Sequence, residues 1–172
     1  MYACRWLAVS LTLMLALLTA GCGFQLRGSY ALPYESLYLA MPDYSVIGAN
    51  LKRLIRASGS TRLASTTNDA QATLLPGAEY RDRVILSVSG TGRISELRLR
   101  YLYNYRVVDA KGRDLVPPSK VELIRDLTYD DSNVLAKQDE EALLWRDMEN
   151  DLVQQLMRRL AAVQPVMPPP AE

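Results

Sequence analysis

The chain has 172 residues, with 20 basic and 19 acidic side chains and no histidine. Near-neutrality argues against general nucleic-acid binding, whose footprint is a clustered basic excess, and the missing histidine removes the usual general base and the commonest metal ligand. Cys4 and Cys22 are the two cysteines, and the first is expected to leave with a cleaved leader.

That leader is read from its parts. A single charge at Arg5 precedes an apolar run from Trp6 to Leu18, and Thr19-Ala20-Gly21 then crowds small side chains against Cys22. The run is interrupted by Ser10 and Thr12 and falls short of the about 20 apolar residues a membrane-spanning helix needs. Small residues before a cysteine at the end of an apolar run suit lipoprotein processing. The pattern predicts a signal peptide over residues 1–21 and a lipid on Cys22; an ordinary secretory signal with an incidental cysteine, or an anchor helix, is the alternative. The remainder, about 150 residues, suits one domain, and with one cysteine left its core must hold it without a disulfide.

Residues 22–35, with Gly23, Gly28 and Pro33 and no sustained period, read as a tether from lipid to fold. Ser36 to Met41 is a first strand stopped by Pro42. Ile47, Leu51, Leu54 and Ile55 then follow the 3.6-residue repeat, capped by Asp43 or Ser45 and stopped by Gly59, which predicts a helix over 44–58. A Ser/Thr-rich loop over 60–71 leads to a second strand from Ala72, continuing irregularly to Tyr80, and a third apolar run covers Val84 to Val88. Ser89-Gly90-Thr91-Gly92 is a turn; it lacks the third glycine, the Lys-Ser/Thr pair and the following helix of a phosphate loop.

The longest strand is expected over 94–108. Its alternation places Leu97, Leu99, Tyr101, Tyr103, Tyr105 and Val107 on one face and Glu96, Arg98, Arg100, Leu102, Asn104 and Arg106 on the other. A partner strand from about Lys120 to Tyr129 follows Pro117-Pro118. A long amphipathic helix over about 133–163 steps through Leu144, Met148, Leu152, Leu156 and Leu160, widened by Leu143, Trp145, Val153 and Met157. Residues 164–172, with four prolines, read as a disordered tail. The expected fold is α/β: a mixed four-stranded sheet with two helices on one face, in a single domain over 36–163.

Charge is segregated along the chain. Six arginines lie within 81–106 against Asp82 and Glu96, whereas 126–151 holds nine acidic residues against Lys137 and Arg146. The arginine face of the long strand is either a solvated sheet surface or a surface for anionic groups such as phosphates, which arginine grips through its planar fork of donors. Asp130-Asp131 and Asp139-Glu140-Glu141 could be drawn as a metal or carboxylate site, but helix-start acids and caps explain them more cheaply. No nucleophile stands beside a base at a recognisable spacing, so no catalytic residue and no metal site is assigned.

Three blocks carry a resemblance: Thr19 to Arg27 around the cysteine, Asn133-Val134-Leu135-Ala136-Lys137-Gln138-Asp139-Glu140, and Gln155-Leu156-Met157-Arg158-Arg159-Leu160. With them the chain resembles the LptE family of LPS-assembly lipoproteins across the mature domain. The resemblance implies an outer-membrane lipoprotein on the periplasmic side, held by its lipid, that plugs the lumen of an LptD-type β-barrel, helps it assemble and binds lipopolysaccharide. It carries the family's basic contact at the start of the last helix onto Lys137; the second basic contact, in the turn before the long strand, falls on Gly90 and Thr91, with Arg93 the nearest substitute. Arg98, Arg100 and Arg106 complete the candidate lipopolysaccharide contacts. Rival readings are a periplasmic lipoprotein that docks to and activates a cell-wall enzyme, and, weakest, a lipoprotein enzyme.

Overall fold

A computed structural model describes residues 31–129 and 133–163. The leader with Cys22, Asp130-Asp131 and the proline-rich tail lie outside these residues.

The chain runs β1 (Ser36–Leu39), α1 (Val46–Ser58), β2 (Arg62–Leu63), β3 (Ala72–Val88), β4 (Ile94–Asp109), β5 (Asp114–Thr128) and α2 (Val134–Ala161). The sheet order is β2-β1-β3-β4-β5. Strand β1 pairs in parallel with both β2 and β3, and the pairings from β3 to β5 are antiparallel. The α/β class with a mixed sheet and two helices is as expected from the sequence, but the sheet has five strands where four were expected. The additional strand lies in the Ser/Thr-rich 60–71 loop, where Arg62 N–H donates to the Glu35 carbonyl at 3.0 Å and Ala64 N–H to that of Leu37 at 3.0 Å. Two residues cannot show a strand period, so composition alone reads as loop there.

Helix α1 starts where its cap allows. The Ser45 hydroxyl accepts from Gly48 N–H at 3.1 Å, satisfying one orphan donor of the first turn. Gly59 stops the helix in the left-handed conformation, φ 67°, which costs glycine least. Ile47, Leu51 and Ile55 are buried. The domain begins earlier than the expected tether allows, because Leu32 and Tyr34 belong to the core, and Thr61 Oγ1 donates to the Tyr34 carbonyl at 2.8 Å.

The two apolar runs expected over 72–80 and 84–88 are one strand. Its irregularity is real: the register against β4 shifts between Pro76 and Glu79. There Asn104 Nδ2 donates to the Ala78 carbonyl at 2.9 Å, and a Cβ on Gly77 would come within 2.9 Å of the Asn104 Cβ. This bulge turns a segment that reads as broken into a bent but continuous strand. Strand β5 likewise starts at Asp114 and not at Lys120. Pro117 and Pro118 are tolerated within it because β5 is an outer strand and the two lie where its register against β4 shifts, between the Tyr105–Ser119 and Val107–Val116 pairs, an irregularity that asks no ladder bond of them.

The core lies between one sheet face and the helices. It holds Leu97, Leu99, Tyr101, Tyr103, Tyr105 and Val107 of β4 with Met148, Leu152, Val153, Leu156, Met157 and Leu160 of α2. The alternation read along the long strand sorts these faces correctly. Leu143, grouped with the apolar stripe, is exposed, whereas its neighbours Leu144 and Trp145 pack against the core, so Leu143 lies on the outer side of that turn. No helix among the described residues is long and apolar enough to cross a membrane.

Candidate functional site

The segregated charges of the sequence meet in the fold. On the helix face, Arg81 of β3 reaches Glu149 of α2 at 2.8 Å and Glu79 at 3.0 Å, and Arg83 reaches Glu141 at 3.1 Å. Across the sheet, Arg125 of β5 pairs with Asp151 of α2 and Arg159 donates to the Lys120 carbonyl at 2.6 Å. Helix α2 is thus strapped along both flanks while its apolar stripe fills the middle.

Arg81 is the centre of the β3 flank. Its guanidinium lies 4.5 Å from the Tyr101 ring centroid and donates to the Tyr101 hydroxyl at 3.0 Å, which itself donates to Glu79 at 2.7 Å. Burial, reinforced by the hydrogen bond to Glu79, pushes the Tyr101 hydroxyl well above its ordinary pKa; burial also raises Tyr103, to about 12. These tyrosines are neutral packing groups at physiological pH. The cluster could not be read from the sequence, because it depends on the Arg81-to-Tyr101 register, which single-strand alternation does not set.

The open face of β4 holds the predicted arginine stripe, and most of it is neutralised. Arg98 makes two bonds to Asp126 of β5, at 2.7 and 2.8 Å, and Arg100 pairs with Asp82 of β3 at 2.6 Å. The Arg98 hydrogen bonds hold the Asp126 carboxyl below its ordinary value. Arg106 has no carboxylate partner among the described residues; it lines a groove of about 350 Å³ with Asn104, Lys120, Leu75, Pro76 and Gly77. The stripe is therefore a set of cross-strand ion pairs ending in one unpaired arginine, not a continuous cationic surface.

Arg93 and Lys137 sit elsewhere. Arg93 closes the β3–β4 turn, its carbonyl accepting from Ser89 N–H at 2.7 Å and its N–H donating to the Ser89 hydroxyl at 3.2 Å. Lys137 lies in the first turns of α2 and pairs with Glu140 at 2.8 Å. Glu141 is anchored to Arg83, so the earlier turns of α2 extend toward the hairpin tip, about 6 Å further at Lys137. The two candidate contacts derived from the family pattern share this end of the molecule, whereas Arg98, Arg100 and Arg106 face away from α2. The end is also apolar: Ile85, Leu86 and Val88 of β3 and Val134 and Leu135 of α2 are exposed, Leu135 by 77%.

The acidic cluster over 139–141 is not a helix-start device, since the first turn of α2 contains no acid. Glu140 and Glu141 serve Lys137 and Arg83, and Trp145 Nε1 donates to Glu141 at 3.2 Å. Among the described residues no group of acidic or sulfur side chains could hold a metal ion.

The fold and this surface define a small α/β domain that presents an exposed, partly apolar end. A family model described as LptE, Lipopolysaccharide-assembly, matches residues 34–160. The chain belongs to the LptE family. It is 29% identical over 160 residues to the LPS-assembly lipoprotein LptE of Photorhabdus laumondii, covering 89% of this chain and 86% of that one. Against the LPS-assembly lipoprotein LptE of Yersinia pestis it is 30% identical over 159 residues, 89% of this chain and 76% of the relative. Among solved structures it is similar to the uncharacterized lipoprotein B of Nitrosomonas europaea, with 33% identity, a TM-score of 0.70 and coverage of 81% and 91%. The rare lipoprotein B of Shewanella oneidensis shares the fold, with a TM-score of 0.65 over 74% of this chain and 94% of that one. Family membership makes this a lipoprotein of lipopolysaccharide assembly and not an enzyme.

Proposed function

We propose that the protein is an outer-membrane lipoprotein, anchored on the periplasmic side through an acylated Cys22, that forms a complex with an LptD-type β-barrel as its plug and assembly partner. In that complex it binds lipopolysaccharide on its way to the outer leaflet. The family and the names of its members support the assembly role. The observation that carries lipopolysaccharide binding is the hairpin end of the domain, which has Arg93 at the β3–β4 turn, Lys137 in the first turns of α2, and exposed Val88 of β3 and Val134 and Leu135 of α2. An amphiphile with phosphates above acyl chains needs this combination of cations and apolar surface, and arginine and lysine both suit phosphate.

The barrel partnership is tested by purifying the full lipidated chain from envelopes of its own host. Stoichiometric recovery of an outer-membrane barrel is expected. An intact lipoprotein recovered with a cell-wall synthase and no barrel would replace the reading with the activator alternative.

A further inference from the structure

The two outer strands of this sheet treat their open edges differently. Strand β5 carries Pro117, Pro118 and Lys120 on its edge, devices that keep another strand from adding. Strand β3 is an inner strand only at its beginning: β1 pairs with Ala72, Thr73 and Leu74, and the last bond from that side is Ala40 N–H to the Leu74 carbonyl at 3.0 Å. Beyond the Gly77 bulge, residues 79–88 pair with β4 alone among the described residues. This free edge runs about 33 Å at about 3.3 Å per residue, and it contains no proline.

Its side chains narrow what could lie there. Arg81, Asp82 and Arg83 are paired within the domain to Glu149, Arg100 and Glu141. The edge therefore has no charge left to match, while Tyr80, Val84, Ile85, Leu86 and Val88 are exposed by 40 to 59%. What remains unsatisfied is one row of backbone donors and acceptors, flanked by apolar surface. A second copy fits poorly. Two-fold antiparallel pairing about Asp82 sets Arg81 against Arg83, pairing about Arg83 sets that arginine against itself, and pairing about Val84 sets Asp82 against Leu86. Like charges directly opposite destabilise a strand pair, and a charge gains nothing from an apolar neighbour.

We infer that the edge of β3 over 79–88 receives an extended, uncharged segment of a different polypeptide as a sixth strand, main-chain bonds giving affinity and the apolar side chains of β3 selecting alternating apolar residues. Resting on the function proposed above, the barrel partner supplies this segment. A closed barrel has no free edge of its own, so the segment comes from a loop or terminus of the partner and not from its wall.

The test uses the full lipidated chain, alone and in its barrel complex, with amide hydrogen exchange followed over 79–88 and over 114–128. In the complex, exchange over 79–88 should slow by about 10-fold or more, as amides pass from water into a ladder, with a smaller change over 114–128. Val84→Lys with Leu86→Lys, both at exposed positions, should leave the thermal midpoint of the free chain unchanged and reduce barrel recovery by about 10-fold, since edge lysines block strand addition. Ile124→Lys on β5 should recover the barrel normally. A complex that forms with 79–88 unprotected, or with the double lysine variant at full yield, overturns this inference and leaves the functional reading standing. Protection over 79–88 in the free chain at a dimeric mass makes the occupant a second copy and also overturns it. A chain that retains no barrel contradicts the functional reading and this inference with it.

Discussion

The two faces of β4 alternate residue by residue along one strand, yet they hold charge in different ways. On the helix face the arginines come from neighbouring strands and reach carboxylates of α2 that are mostly covered, Glu141 at 14% and Glu149 at 16% side-chain exposure. On the open face Arg98 and Arg100 meet Asp126 and Asp82 across the ladder with both partners in water. Partly buried pairs that fasten a helix are part of the fold, whereas exposed pairs are weak and screened by salt. The comparison assigns the first set to architecture and leaves the second free to be exchanged without unfolding the domain.

The largest effect is expected in the core that the helix straps enclose. Leu152→Asp places a charge where exposure is 1% and should cost about 4 kcal/mol or more, enough to abolish a cooperative thermal transition. Gly77→Ala drives a methyl against Asn104 at the β3 bulge and should cost about 1–3 kcal/mol in chemical denaturation; an unchanged midpoint would mean that the bulge tolerates a side chain. Glu149→Gln removes one strap to Arg81, and the loss should be about 1 kcal/mol, since Arg81 is itself more than a third exposed and solvent screens the pair.

The smallest effect is on the open face. Arg98→Ala should lower the thermal midpoint at neutral pH only slightly, since both partners are exposed and screened by solvent, yet change how Asp126 titrates. Its carboxyl lies below the ordinary 3.8 because Arg98 binds the ionised form. A depressed folded-state value gives stability that is present above the unfolded pKa and is lost as pH falls through the folded one, so the small, solvent-screened contribution of this pair is present at neutral pH and disappears below about pH 4. Carboxyl NMR should show the Asp126 midpoint rising toward 3.8 in the variant. A large loss of stability at pH 7 would erase the distinction between the faces.

What the sequence made legible follows from pattern length. Helix α1 announced its stop at Gly59, helix α2 its stripe from Met148 to Leu160, and β4 its two faces, because each repeats a period several times. Strand β2 was hidden by its two residues. The unity of β3 was hidden by Pro76 and Gly77, which punctuate local sequence but here make a bulge, and Leu32 and Tyr34 showed no period although both pack in the core. For the candidate site, the positions of Arg93 and Lys137 at one end became visible only once Arg83 had met Glu141. The pairing of Arg98 and Arg100 was likewise hidden, since cross-strand partners depend on register and register depends on the bulges.

The central claim is that lipopolysaccharide is held at the hairpin end and not on the open sheet face. The direct measurement is binding of purified lipopolysaccharide to the full lipidated chain, comparing Arg93→Asp with Lys137→Asp against Arg98→Ala with Arg100→Ala. The account predicts a loss of about 10-fold or more, roughly 1.4 kcal/mol, for the hairpin-end pair in a folded protein, and little change for the sheet-face pair. Unchanged binding in the first variant with a marked loss in the second would contradict it.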